Sequence, residues 1–273
     1  MLRVGVLTDA IETMRPSIVQ IAAHSTRDPL GTGCFLRDDG LVLTAAHVVA
    51  GAPTFRVGLA MPSLDGPISV RGSFNTYTSE VVHLDSRNDL AILRMGINPF
   101  GGSPPVLISV DGEPTVAGTA ATVPTFDAER PAEGEPVAVA GYPLRMPTLI
   151  TTSGAVASAW HTDVVEVQPP NAPAGFTVSD HADRYLCDVQ VNPGNSGGPV
   201  FRVSDAAVIG VCVNHSVTPV TWEGDSGFLV PAAPLDPSPS EPNRRRALAA
   251  NAGLCGVVPI KYALANLEAL IAN

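Results

Sequence analysis

Charge is scarce in this sequence, and basic charge scarcest of all. Only 15% of the 273 residues are charged, 16 Lys or Arg against 26 Asp or Glu, for a net charge of −10. A chain this acidic has no general attraction for phosphate backbones, and no basic stripe interleaved with aromatics is present. Nucleic acid is therefore not an expected partner. Long hydrophobic runs are also lacking. No stretch approaches the roughly 18 uninterrupted apolar residues that span a bilayer, so no membrane partner is expected. The opening MLRVGVLTDAIETMRP has no secretory-signal core, because Thr8, Asp9 and Glu12 break it early. These absences lead to the expectation of a cytoplasmic protein. Cysteine is limited to Cys34, Cys187, Cys212 and Cys255, with no CxxC pair, which argues against a structural zinc site. An even count permits two disulfides. Each thiol nevertheless sits in an apolar strand-like run such as VIGVCVNH, which favours buried free thiols.

What is present is a patterned apolar chain. Apolar residues make up 45%, which suits a folded core and not a disordered segment. Short Val, Ile and Leu runs recur between Gly, Pro, Asp and Asn. In the first half they are SIVQIAAH, GTGCFLRD, GLVLTAAHVV, FRVGLA, EVVHLD and DLAILRM. In the second they are PVAVAGYP, TLITTSGAVASAW, DVVEVQ, RYLCDVQV, GPVFRV, AAVIGVCVNH and GFLVPA. About six strands per half point to two β-barrels or a sandwich. The pattern divides the chain into a first lobe (1–111), a poorly patterned connection (112–133) and a second lobe (134–273). Within the second, 231–251 is rich in Pro and Ala, carries Arg244–Arg246, and reads as an exposed loop. Leu264, Leu267, Leu270 and Ile271 recur at helical spacing and predict one short closing helix.

Three segments carry chemistry. The first is Asn192-Pro-Gly-Asn-Ser-Gly-Gly-Pro199. A serine flanked by glycines on a tight loop has the backbone freedom and open approach that a nucleophile needs. The N–H groups of Gly194 and Ser196 are placed to converge as an oxyanion hole. Read alone, the same residues also make an ordinary Gly/Ser turn. The second is Leu43-Thr-Ala-Ala-His-Val-Val49, where His47 closes an apolar strand. A lone histidine in such a setting is more often a satisfied core residue than a base. The third is Asp85-Ser-Arg-Asn-Asp-Leu-Ala-Ile-Leu93, where Asp89 leads into a strand and by itself reads as a turn former. Their joint order, His, Asp, Ser, is that of one known triad arrangement.

With those residues in view, the sequence resembles the trypsin-like peptidases, and among them the HtrA (Deg) branch. GTGCFLRDDGLVLTAAHVV is similar to that branch's hairpin into the catalytic histidine, and NDLAIL to its aspartate strand. AVAGYPLRMPTLITTSGAVAS, DVQVNPGNSGGPVFRVSDAAVIGVCVNH and GLCGVVPIKYALANL resemble its later strands, nucleophile loop and closing helix. The similarity covers about residues 15–215 and 253–268. It implies an all-β, chymotrypsin-like fold of two six-stranded antiparallel β-barrels with a short C-terminal helix. It implies a serine endopeptidase acting on polypeptides, with His47, Asp89 and Ser196 catalytic and Gly194 and Ser196 as oxyanion donors. Gln190, Val213 and Asn214 are the implied substrate-binding residues.

No metal or organic cofactor is implied, and no PDZ domain is expected after the closing helix. The second Gly-Asp-Ser-Gly, at Ser226, lacks the Gly and Pro that follow Ser196 and is read as a loop residue. Relatives that cleave after Lys or Arg carry an acid where Gln190 stands, so a small or uncharged residue before the cut is expected. Digestive relatives pair a new N-terminal amine with an aspartate before the serine. Asn195 stands there without charge, so control by loop ordering or an activating protein partner is expected instead. A role as proteolytic effector of a bacterial defence or signalling system fits these features. The competing reading is a catalytically silent fold kept as a protein-binding module.

Overall fold

The structure, a computed structural model, describes residues 4–26, 28–60, 74–100, 106–110, 113–117, 121–146, 148–167, 177–222, 229–231 and 248–272. The chain opens with helix α1 (Val4–Met14) and then builds a closed antiparallel barrel. Its strands are β1 (Ile18–Ala23), β2 (Pro29–Arg37), β3 (Leu41–Ala45), β4 (Thr54–Ala60), β5 (Phe74–Asp85) and β6 (Leu90–Met95), closing in the order β1-β2-β3-β6-β5-β4. Strand β3 is buried at every position, because Val42 faces into the barrel beside Leu93 and Val19 while Leu41 and Leu43 lie on the opposite face, within the core that joins the two barrels. A separate hairpin of β7 (Val106–Val110) and β8 (Glu113–Ala117) follows.

The second barrel uses β9 (Pro136–Gly141), β10 (Ile150–Val167), β11 (Val178–Asp188), β12 (Pro199–Arg202), β13 (Val208–Trp222), β14 (Leu229–Pro231) and β15 (Leu248–Pro259). Pairing runs β12-β9-β10-β11-β15-β13 and returns from β13 to β12, a closed circuit of six, with β14 added at the far end of β13. Helix α2 (Ile260–Ala272) closes the chain. The expected pair of six-stranded barrels is what forms. One apolar cluster runs through both, joining Leu43 and Ile92 of the first to Ala138, Phe201 and Val211 of the second. A smaller cluster of Val139, Tyr185, Cys187 and Cys212 fills the second barrel alone.

Several elements depart from the sequence expectation. Helix α1 was not expected, although Leu7, Ala10, Ile11 and Met14 form an i, i+3, i+4, i+7 stripe that packs on the shared core. It ends at Met14, one residue before a turn with Pro at its start. The connection 112–133 is not shapeless: β8 pairs with β7, and Phe126 bridges to Val208. The loop placed at 231–251 has strands at both ends, since Pro231 closes β14 and Leu248 opens β15; residues 232–247 lie outside the described residues. In α2, Ile271 is 57% exposed and lies off the packed stripe of Leu264, Leu267 and Leu270.

All four cysteines are free and buried. Burial pushes the Cys34 and Cys187 thiols up to about 12, so neither is a reactive thiolate. Among the described residues no helix is long and apolar enough to cross a membrane.

Helix α2 is fastened through Asp183 on β11, which accepts from Arg130 Nη2 (2.6 and 2.5 Å), Lys261 Nζ (2.9 Å) and Tyr262 Oη (3.1 Å). Burial raises the Asp183 carboxyl, but the Arg130 and Lys261 hydrogen bonds outweigh it and hold it below the usual range. A depressed acid stabilises the fold above its unfolded-state pKa, and that contribution fades as pH falls through the folded one. Asp183→Asn should therefore lower the melting temperature at pH 7 and converge with wild type in strong acid, read by thermal unfolding across pH. Leu43→Ala, in the core that joins the two barrels, should cost about 2–5 kcal/mol in denaturant unfolding.

Candidate active site

The antiparallel pairing of β3 with β6 sets Ala45 opposite Leu90. The chain continuing from β3 therefore runs beside the chain entering β6, and His47 meets Asp89. The 3₁₀ turn Ala46–Val49 buries Ala46, Val48 and Val49 and leaves the His47 ring turned outward, its side chain 46% exposed. Asp89 holds this turn by three bonds. Its carbonyl accepts the Ala46 N–H at 3.0 Å. Its Oδ1 accepts the His47 main-chain N–H at 2.9 Å, and its Oδ2 meets His47 Nδ1 at 2.7 Å. A carboxylate only accepts hydrogen bonds, so Nδ1 carries the ring proton and Nε2 presents a lone pair. Asp89 itself adopts φ 58°, a left-handed conformation that aspartate tolerates better than most residues.

Ser196 comes from the other barrel, on the loop between β11 and β12. Its carbonyl accepts the Thr32 N–H of β2 at 2.9 Å, across the seam between the barrels. The loop is closed by Asn195 N–H to Asn192 O (2.9 Å), Gly198 N–H to Asn195 O (2.9 Å) and Gly197 N–H to Cys212 O (2.7 Å). Two carbonyls are drawn off to the sides. Pro193 O accepts from Leu144 N–H and Gly194 O from Thr32 Oγ1, both at 2.7 Å. Among the described residues, the Gly194 and Ser196 N–H groups donate to no protein acceptor. Glycine is required at two points. Gly194 sits at φ 104° and Gly197 at φ 83°, and a side chain at Gly197 would overlap Thr32 and Thr44.

The same packing brings the turn that carries His47 close to the Ser196 main chain. A side chain on Gly31 of β2 would lie 2.7 Å from Val48, the neighbour of His47, and 2.9 Å from the Ser196 carbonyl. The remaining predicted residues are less tightly defined. Gln190 is exposed, and its carbonyl accepts from Thr152 Oγ1 at 2.9 Å. Val213 is buried on β13, followed by Asn214 in the same strand, whose side chain is outside the described residues. Ser226 also lies outside them. Asn195 is buried, and its Oδ1 accepts the Asn192 N–H at 3.0 Å, so its amide serves the loop itself. Among the described residues no three His, Cys, Asp or Glu side chains converge as metal ligands would.

The family model for the trypsin-like peptidase domain matches residues 31–211. The chain belongs to that family. This trypsin-like peptidase domain is 29% identical over 231 residues to the magnetosome formation protease MamE of Magnetospirillum gryphiswaldense, covering 83% of the chain and 24% of that protein. It is 29% identical over 185 residues to a probable periplasmic serine endoprotease DegP-like of Halomonas elongata, covering 68% of the chain and 29% of that protein. The chain thus spans about a quarter of the length of these curated relatives. Among solved structures, an HtrA-type protease AlgW with decapeptide superposes at TM-score 0.58 with 16% identity, covering 98% of this chain and 68% of that one. The MamO protease domain of Magnetospirillum magneticum superposes at 0.54 with 16% identity, covering 93% and 96%.

The residue that sequence reasoning missed in this trypsin-like domain is Thr32. Its hydroxyl donates to Gly194 O and accepts from Tyr142 N–H at 2.9 Å, while its carbonyl accepts from Thr44 Oγ1 at 2.7 Å. A polar residue between two glycines in an otherwise apolar strand, GTG, was the available signal. Thr32→Val keeps the shape and leaves the buried Tyr142 N–H without its acceptor. It should cost about 1–3 kcal/mol in denaturant unfolding, with faster hydrogen exchange at Tyr142.

Proposed function

We propose that this trypsin-like domain is an active serine endopeptidase, with Ser196 as nucleophile, His47 as general base and Asp89 as the group that orients the base. The observation that carries this reading is the 2.7 Å bond between His47 Nδ1 and Asp89 Oδ2, made beside a second bond that fixes the same carboxylate to the His47 main chain. That pairing leaves Nε2 as the one ring atom able to take a proton.

In the proposed cycle, Ser196 Oγ attacks the scissile carbonyl carbon as His47 Nε2 takes its proton. The carbonyl oxygen becomes an oxyanion received by the N–H groups of Gly194 and Ser196. The C–N bond then breaks, the imidazolium returns the proton to the leaving amine, and an acyl-Ser196 ester remains. A water, deprotonated by His47, hydrolyses it and restores the serine. Asp89 stays ionised throughout and stabilises the imidazolium.

Polypeptides are the proposed substrates, with Gln190, Val213 and Asn214 on the cleft. The exposed, uncharged Gln190 offers no carboxylate to a basic side chain, which favours a small or uncharged residue before the cut.

Fluorophosphonate labelling of the wild type beside Ser196→Ala and Ser226→Ala tests the assignment. Labelling should vanish in Ser196→Ala and persist in Ser226→Ala, and Asp89→Asn should cut peptide turnover by roughly 10⁴. Labelling that survives Ser196→Ala would contradict the nucleophile. A folded wild type that neither labels nor cleaves would favour the silent binding module.

A further inference from the structure

Asp89 stands at the end of a tight connection that a second carboxylate holds in shape. The register of β5 with β6 pairs Asp85 with Leu90, so residues 86–89 form a hairpin turn. Asp89 closes that turn at φ 58°, a conformation that a non-glycine residue keeps only where its surroundings over-determine it. Asp85 supplies much of that determination. Its Oδ1 accepts the Asn88 main-chain N–H at 3.0 Å, and its Oδ2 accepts the Asn88 side-chain amide at 2.8 Å. Both bonds fasten the residue immediately before Asp89.

The same Oδ2 accepts a third bond, from Asn266 Nδ2 of α2 at 3.0 Å. Burial pushes the Asp85 carboxyl up, but the bonds from Asn88 and Asn266 outweigh it and hold it below the usual carboxylate range. Tyr262 lies one turn before Asn266 on the same side of the helix, and its Oη donates to Asp183 of β11 at 3.1 Å. Helix α2 therefore spans from the second barrel to the turn that carries Asp89. On the other flank, Arg87 Nε meets Asp180 Oδ2 of β11 at 3.0 Å, and Arg87 Nη2 donates to the His181 carbonyl at 3.4 Å. That ion pair is open to water and restrains the turn weakly.

We propose that Asp85 is a positioning residue for Asp89: the chain of hydrogen bonds from Asn266 through Asp85 to Asn88 holds the turn so that the Asp89 carboxylate meets both the ring and the main chain of His47. The proposal rests on the triad reading above, and it makes α2 part of the support of the triad acid. A displacement of about 1 Å at a catalytic group costs roughly 100-fold in rate. The restraint on this turn therefore bears on turnover as well as on folding.

The test uses the full chain with two readouts. One is kcat and KM per folded protein on a peptide substrate. The other is the downfield proton NMR resonance of His47 Nδ1–H, assigned by its loss in His47→Ala. Asp85→Ala removes all three bonds and should lower kcat about 10- to 100-fold with KM within about twofold, with the resonance broadened or lost. Asn266→Asp sets two carboxylates against each other and should lower kcat about 3- to 10-fold. Adding Asp85→Asn to Asn266→Asp exchanges donor and acceptor, and should return kcat to within about twofold of wild type and restore the resonance. A folded Asp85→Ala chain with wild-type kcat and an intact resonance overturns the proposal, even if its melting temperature falls. So does a loss in Asn266→Asp that the double variant does not recover. If Asp85→Ala does not fold, the Asn266→Asp pair decides. Failure of the triad reading is read separately, as a wild type that neither cleaves nor takes a fluorophosphonate label. The resonance then decides alone: loss in Asn266→Asp with return in the double variant supports the proposal, and no change overturns it.

Discussion

The seam between the barrels is fixed at Thr32, where one residue of the first barrel is bonded through its N–H to Ser196 and through its hydroxyl to Gly194. The Ser196 loop is therefore held by a strand of the other barrel. Glycines on both sides make this approach possible: a side chain on Gly33 would lie 2.7 Å from the Leu43 carbonyl, as one on Gly31 would collide with Val48. His47 and Asp89 are set by the β3–β6 register within the first barrel. The seam carries the Ser196 loop of the second barrel onto β2 of the first. Buried hydrogen bonds contribute about 1 kcal/mol each when made and cost about 1–3 when a partner is stranded. The seam thus resists partial opening more than its net stability implies.

Scarce positive charge is spent at the joints. Arg202 ties β12 to the connection through Asp127 and to the start of the second lobe through Glu135, and Arg130 ties that connection to β11. Lys261 ties α2 to β11, and Arg87 ties the Asp89 turn to it. Several are half-exposed, the Arg87 and Asp180 side chains at 55% and 40%, and such pairs add at most about 1 kcal/mol. Their contribution is orientation. Arg184 of β11 differs in being buried at the same joint.

Much of this was legible because local pattern and tertiary role coincide. LVLTAAHVV reads as an apolar strand closed by a histidine, and β3 with its 3₁₀ turn is that. The GNSGG glycines read as loop chemistry, and two of them sit at positive φ. Helix α1 was hidden by the question asked of it: its stripe was weighed as a secretory signal and not as a helix. Thr32 was illegible for a different reason. It is one polar residue in an apolar strand, and its meaning depends on a partner 162 residues away, which no local spacing encodes. Residues 248–251, the start of β15, were read as loop because an alanine-rich run carries no period-2 signal, whereas β14 lies within the strand-like GFLVPA.

The central claim is that the two barrels jointly present Ser196, His47 and two free N–H groups to one carbonyl. A crystal structure of the chain with a peptidyl boronic acid tests it most directly. The account predicts boron bonded to Ser196 Oγ, one boronate oxygen about 2.7–3.1 Å from the N–H groups of Gly194 and Ser196, His47 Nε2 beside Oγ, and Asp89 still on Nδ1. A boronate bonded elsewhere, or bonded to Ser196 with its oxygens turned away from those two N–H groups, would contradict it.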